Sequence, residues 1–129
     1  MNKKIKISLI TFGTLFIIFT LGHIPVWIDD SKARDNKAII KEMISVGSDL
    51  NKAEIIIKKA GFKLMYDSPI TPTYDKSYLS QLVIVGNTQP NIFETIGYAA
   101  QLPWMPFTSN ESPYLIIDAT LDGKITEIE

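Results

Sequence analysis

Side chains suited to acid–base or metal chemistry are few in this sequence, and they are scattered. There is one histidine, His23, and no cysteine in 129 residues. No histidine follows residue 23, so a Ser-His-Asp triad downstream is impossible. A thiolate nucleophile, a Cys/His metal site and a disulfide scaffold are excluded by the absent cysteines. The carboxylates with the most regular setting are Asp67 and Asp75, in the echoing segments Tyr66–Asp67–Ser68 and Tyr74–Asp75–Lys76–Ser77. Two carboxylates can work as acid and base or hold calcium, but the Asp/Asn/Gly density of an EF-hand loop is missing. Asp118, Asp122 and Glu127 gather around one Asp-Gly turn and read as solvated surface. No glycine-rich phosphate loop is present. The expectation is a protein that is not an enzyme, with no catalytic residue, no metal and no cofactor.

The elements that would carry these residues begin with a membrane segment. Residues 7–28 form a 22-residue stretch without a formal charge, and fourteen of them are strongly apolar. As a helix it would be about 33 Å long, enough for a bilayer core. Lys3, Lys4 and Lys6 precede it, while acids and bases balance just after it. The positive-inside rule then puts the N-terminus in the cytoplasm and residues 29–129 outside. Trp27 would sit at the far interface, His23 near it, and Pro25 near the helix end, where a missing N–H is cheapest. The other reading is a signal peptide cut after Gly22. The apolar run continues past that point to Ile28 and lacks an A-x-A motif, which favours an uncleaved anchor. The lysine- and isoleucine-rich, cysteine-free composition suits a bacterial envelope. Two domains follow: 1–28, a signal anchor, and 29–129, an exported domain.

The exported part has ten bases against fourteen acids, and the excess lies beyond residue 63, where two bases meet eight acids. Such a balance does not suit nucleic acid. A helix is expected over about Asp30–Val46, continuing from the membrane helix after a short break, with Ala38, Ile39, Ile40, Met43 and Ile44 inward and Lys37 and Lys41 outward. A second should be capped by Ser48 or Asp49, bury Leu50, Ala53, Ile57 and Ala60, and stop at Gly61. Ile55 lies off that stripe. Strands are expected over Phe62–Tyr66, Tyr78–Gly86, Tyr114–Thr120 and Ile125–Ile128. The Leu121–Asp122–Gly123–Lys124 signal makes a hairpin of the last two. A three-residue turn with Gly123 left-handed pairs Ala119 with Ile125 and is preferred to a two-residue turn. The fold class is then α+β: a transmembrane helix, then two helices packed on an antiparallel sheet of three to four strands.

Residues 87–113 are unusually long for a connection between strands. They hold four prolines, two charges and many large apolar side chains. The segment reads either as a flap over the open sheet face or as a contact surface. Phe93, Tyr98, Trp104, Met105 and Phe107 are the expected partner-binding residues.

Two resemblances bear on the setting. Residues 46–64, from Val46–Gly47–Ser48–Asp49–Leu50 through Ala60–Gly61–Phe62–Lys63–Leu64, resemble the opening helix of a PASTA domain. That family sits outside bacterial membranes on single-pass anchors and takes part in cell-wall sensing. Its Gly-x-Val and Gln-x-Pro-x-x-Gly features are absent beyond residue 64. The layout of residues 29–129 is similar to small outer-membrane assembly lipoproteins of the SmpA/OmlA type. Gly47 and Leu121–Asp122–Gly123–Lys124 match that scheme of two helices and a sheet ending in an Asp-Gly-Lys hairpin. The lipobox cysteine is missing, so outer-membrane anchoring is not implied. Together these features lead to an expectation of a single-pass, membrane-anchored exported domain that binds a protein or envelope partner without catalysis. The alternative is an inhibitor or immunity-type protein acting against an envelope-targeting enzyme or toxin, its acidic part facing a basic cleft.

Overall fold

A computed structural model gives the fold, and residues 2–89, 95 and 111–129 are described. The elements run α1 (Lys3–Met43), α2 (Leu50–Lys59), β1 (Lys63–Leu64), β2 (Tyr78–Ile84), β3 (Tyr114–Thr120) and β4 (Ile125–Ile128). The class is α+β, with a long apolar N-terminal helix and a four-stranded antiparallel sheet in the order β1-β2-β3-β4. The described residues fall into two compact units. One holds those up to Asp29, with Gln89 and Thr95; the other holds Asp30–Thr88 and resumes at Glu111.

There are two helices among the described residues rather than the expected three. The break anticipated after residue 28 does not occur, and α1 runs unbroken for 41 residues. The sequence gives it no reason to stop. Between Trp27 and Met43 there is neither glycine nor proline, and lysine, arginine, alanine and glutamate favour continuation. Pro25 lies inside the helix rather than near its end. It removes the N–H that the Leu21 carbonyl would have accepted, and its ring crowds that carbonyl.

α2 carries caps at both ends. The Asp49 side chain accepts from the Asn51 N–H at 2.9 Å. At the other end Gly61 takes φ +95°, its N–H donating to the Lys58 carbonyl while Phe62 N–H donates to Ile57. This pair of bonds is the Schellman ending, which needs a left-handed residue at Gly61.

β2 and β3 pair over their full lengths, with Val83 opposite Leu115 and Gln81 opposite Ile117. β3 turns into β4 through Leu121–Asp122–Gly123, with Gly123 at φ +92° and Ala119 opposite Ile125. That is the three-residue turn preferred from the sequence. The outer edge of β4 is closed by the link between the helices. Gly47 N–H donates to the Ile125 carbonyl, Ile125 N–H to Ser48, and Leu50 N–H to Gly123. Covering an edge in this way blocks unwanted strand addition.

Among the described residues from Asp30 onward, the core is one cluster. It joins Ala33, Ile40 and Ile44 with Leu50, Ala53 and Ile57, and with Val83, Val85, Leu115, Ile117, Ala119 and Ile125 of the sheet. Each large side chain fully buried there contributes about 1.5–3 kcal/mol. The inward side chains toward and just past the end of α1 are therefore Ala33, Ile40 and Ile44, whereas Ala38 and Ile39 point outward. Ala60 is exposed, and the buried place next to Ala53 belongs to Glu54. Asn36 Nδ2 donates to the Val85 carbonyl at 2.7 Å, fixing α1 to the chain just past β2.

Candidate functional site

Among the described residues, the most extensive chemically unusual surface is the apolar part of α1. Exposed large side chains run from Ile5 to Ile28, with Phe12 72% and Phe16 63% exposed. An 18-residue window of this helix has a mean hydropathy of 2.0, long and apolar enough to cross a membrane. Two of the polar side chains within it fold back on the helix. Thr14 Oγ1 donates to the Ile10 carbonyl at 2.8 Å and Thr20 Oγ1 to Phe16 at 2.9 Å. Hydroxyls satisfied in this way put no open donor toward hydrocarbon. His23 lies between two aromatic rings of the same helix. Its centroid is 4.2 Å from Phe19, edge-on, and 5.4 Å from Trp27, stacked. This spacing of four residues places histidine and tryptophan on one face near the last turn of the apolar run.

The partner-binding residues expected from the sequence, Phe93, Tyr98, Trp104, Met105 and Phe107, lie outside the described residues. So does the flap or contact-surface reading of the segment that holds them.

Around the Asp67–Asp75 loop the structure builds turns. Asp75 Oδ1 accepts from both the N–H and the hydroxyl of Ser77, at 3.0 and 2.6 Å. Those bonds hold its carboxyl below the usual range. The Tyr74 and Tyr78 hydroxyls lie 2.8 Å apart. The shared bond is the main reason the Tyr78 phenol is pushed up to about 12. Among the described residues no group of three or more His, Cys, Asp or Glu side chains has the geometry for a metal ion.

The terminal hairpin carries its acids outward. Ser80 Oγ donates across the strands to Asp118 Oδ1 at 2.9 Å. Glu127 shares a hydrogen bond with Glu129, and that bond, with the neighbour's charge and then Asp118, pushes its carboxyl above the usual range. Asp122 is held down by the Thr120 hydroxyl.

Two polar arrangements escaped the sequence reading. Lys37, expected on the outer side, is half-buried and donates to Glu111 Oε2 at 3.2 Å, with Arg34 3.5 Å from Oε1. Glu54 is buried at 8% exposure, above the fully buried Gln81. Spacing was the available signal for Glu54. Positions 50, 53, 54 and 57 share one helical face, although a glutamate ordinarily faces solvent.

Neither a family model, nor a curated protein, nor a solved structure matches the chain.

Proposed function

We propose that this chain is a single-pass, membrane-anchored protein of the bacterial envelope. Its N-terminus lies in the cytoplasm, residues 7–28 span the membrane, and the domain from residue 29 onward lies outside. There it binds a protein or envelope partner and does no catalysis. The observation that carries this reading is the exposed apolar stretch of α1, preceded by Lys3, Lys4 and Lys6. In water that surface is unfavourable by about 25 cal/mol per Å², and hydrocarbon removes the penalty. The lysines set the orientation through the positive-inside rule. An anchored domain needs only a modest contact, because the membrane raises its local concentration. The contact is assigned to Phe93, Tyr98, Trp104, Met105 and Phe107, on their apolar and aromatic character in a segment poor in charge.

Fractionation and mass decide the anchor. The full-length mass in alkali-resistant membranes is expected, with the C-terminal part protease-accessible from outside. A mature species beginning at His23 would instead mean a cleaved export signal. For the contact, Trp104→Ala with Phe107→Ala should abolish or shift the crosslinked partners seen with the unaltered chain. An unchanged crosslinking pattern would sink this assignment.

A second reading rests on the acids of the terminal hairpin. Glu127 shares a hydrogen bond with Glu129, and that bond, then the neighbouring acids, raises the Glu127 carboxyl; a basic cleft would complement this acidic group. On this reading the chain is an inhibitor or immunity-type protein against an envelope-targeting enzyme or toxin. Loss of the gene would then expose cells to killing by that toxin rather than to an assembly defect.

A further inference from the structure

Glu54 occupies a position where an ionised carboxylate is poorly served. It sits on the buried face of α2, between Ala53 and Ile57, which are 2% and 0% exposed. Its Oε1 is buried and accepts no hydrogen bond among the described residues. The group beneath it, Gln81, is fully buried and largely committed elsewhere. Gln81 Nε2 donates to the Tyr66 carbonyl at 3.0 Å, and Oε1 accepts from Tyr66 N–H at 3.3 Å and Leu82 N–H at 3.1 Å. The charged group that bears on Glu54 is Lys58, one turn along the same helix. From the sheet it meets the neutral Gln81, and neither α1 nor the strands offer it an ion pair. A buried carboxylate without a full set of donors is costly, whereas a protonated carboxyl is not.

We propose that Glu54 makes the seating of α2 on the sheet responsive to pH: the helix is held firmly while this carboxyl is protonated and less firmly once it ionises. Burial raises the carboxyl more than Gln81 and Lys58 lower it. A group whose folded-state pKa is raised contributes stability that is complete below its unfolded value. That contribution is lost as pH rises through the folded value. The element that loosens is bounded by two glycines in the left-handed region, Gly47 at φ +90° and Gly61 at φ +95°. Its opening bares Leu50, Ala53 and Ile57. This inference rests on the domain core and is independent of where the domain resides or what it binds.

The test compares the full chain in detergent micelles with Glu54→Gln, by thermal unfolding from about pH 4 to pH 8. Other carboxyls titrate in both proteins, so the difference between the two midpoints isolates Glu54. The variant should gain on the parent steadily as pH rises, by several degrees near neutrality, with amide exchange in α2 slowed relative to β3. A difference that stays constant with pH overturns the proposal. Carbon-13 NMR of the Glu54 carboxyl supplies a second measurement in the unaltered chain, and it decides alone should Glu54→Gln fail to fold. Titration above the ordinary glutamate value supports the proposal, and titration at or below that value overturns it.

Discussion

Lys37 and Glu111 show how a charged side chain can belong to the inner surface of this domain. Lys37 lies one turn before Ile40, so its stem runs along the buried stripe while its ammonium reaches Glu111, which lies just before β3. The hydrogen bond from Lys37, then its charge, then Arg34 hold the Glu111 carboxyl below the usual range. The sign is opposite to that for Glu54. A lowered folded-state pKa contributes stability above the ordinary carboxylate range, lost as pH falls through the lowered value. Glu111→Gln should therefore lower the thermal midpoint near neutral pH, and the deficit should shrink to nothing at acid pH. A deficit independent of pH would show that packing, not charge, was lost. Neither Lys37–Glu111 nor Glu54–Gln81 was legible in the sequence. Residue type sends lysine and glutamate to solvent, and only the geometry of the folded chain shows what each one meets.

Local elements were legible wherever one chemical signal decided them. The Asp-Gly pair and the apolar pairing of Ala119 with Ile125 selected the three-residue turn, and the structure has that register. β3 and β4 have the bounds expected, because β3 is rich in apolar residues and the Asp-Gly turn divides the two strands. β1 is shorter than expected, Lys63–Leu64 rather than Phe62–Tyr66. Tyr66 spends its backbone N–H and carbonyl on the Gln81 side chain instead of a strand ladder. The continuity of α1 was missed because a change from apolar to charged composition was read as a boundary. A helix stops for want of backbone partners or at a breaker, and neither glycine nor proline lies between Trp27 and Met43. One consequence is that the last turns of α1 are part of the domain core. Ile40, fully buried there, should cost about 2–5 kcal/mol on truncation to alanine. Ile39→Ala, one residue away and exposed, should cost well under half of that. Denaturant unfolding of the two variants separates a helix that belongs to the core from one that merely leads to it.

Over the whole chain, near-neutral net charge conceals two unlike parts: an apolar helix with lysines ahead of it, and a domain whose acids outnumber its bases. The apolar part was the most legible feature of all, because length and hydropathy define it without any tertiary contact. The anchor reading makes a sharper demand, since it assigns a solvent to every residue from 7 to 28. Ile17 lies midway along that stretch and is 58% exposed. Replacing it by lysine puts a charge at the bilayer centre, where insertion becomes less favourable by roughly 3 kcal/mol. The membrane-integrated fraction of Ile17→Lys should fall sharply in alkaline extraction. Val46→Lys, also exposed but beyond the end of α1, should leave that fraction unchanged. Equal extraction of the two variants would mean that hydrocarbon does not surround residue 17, and the single-pass reading would fail with it.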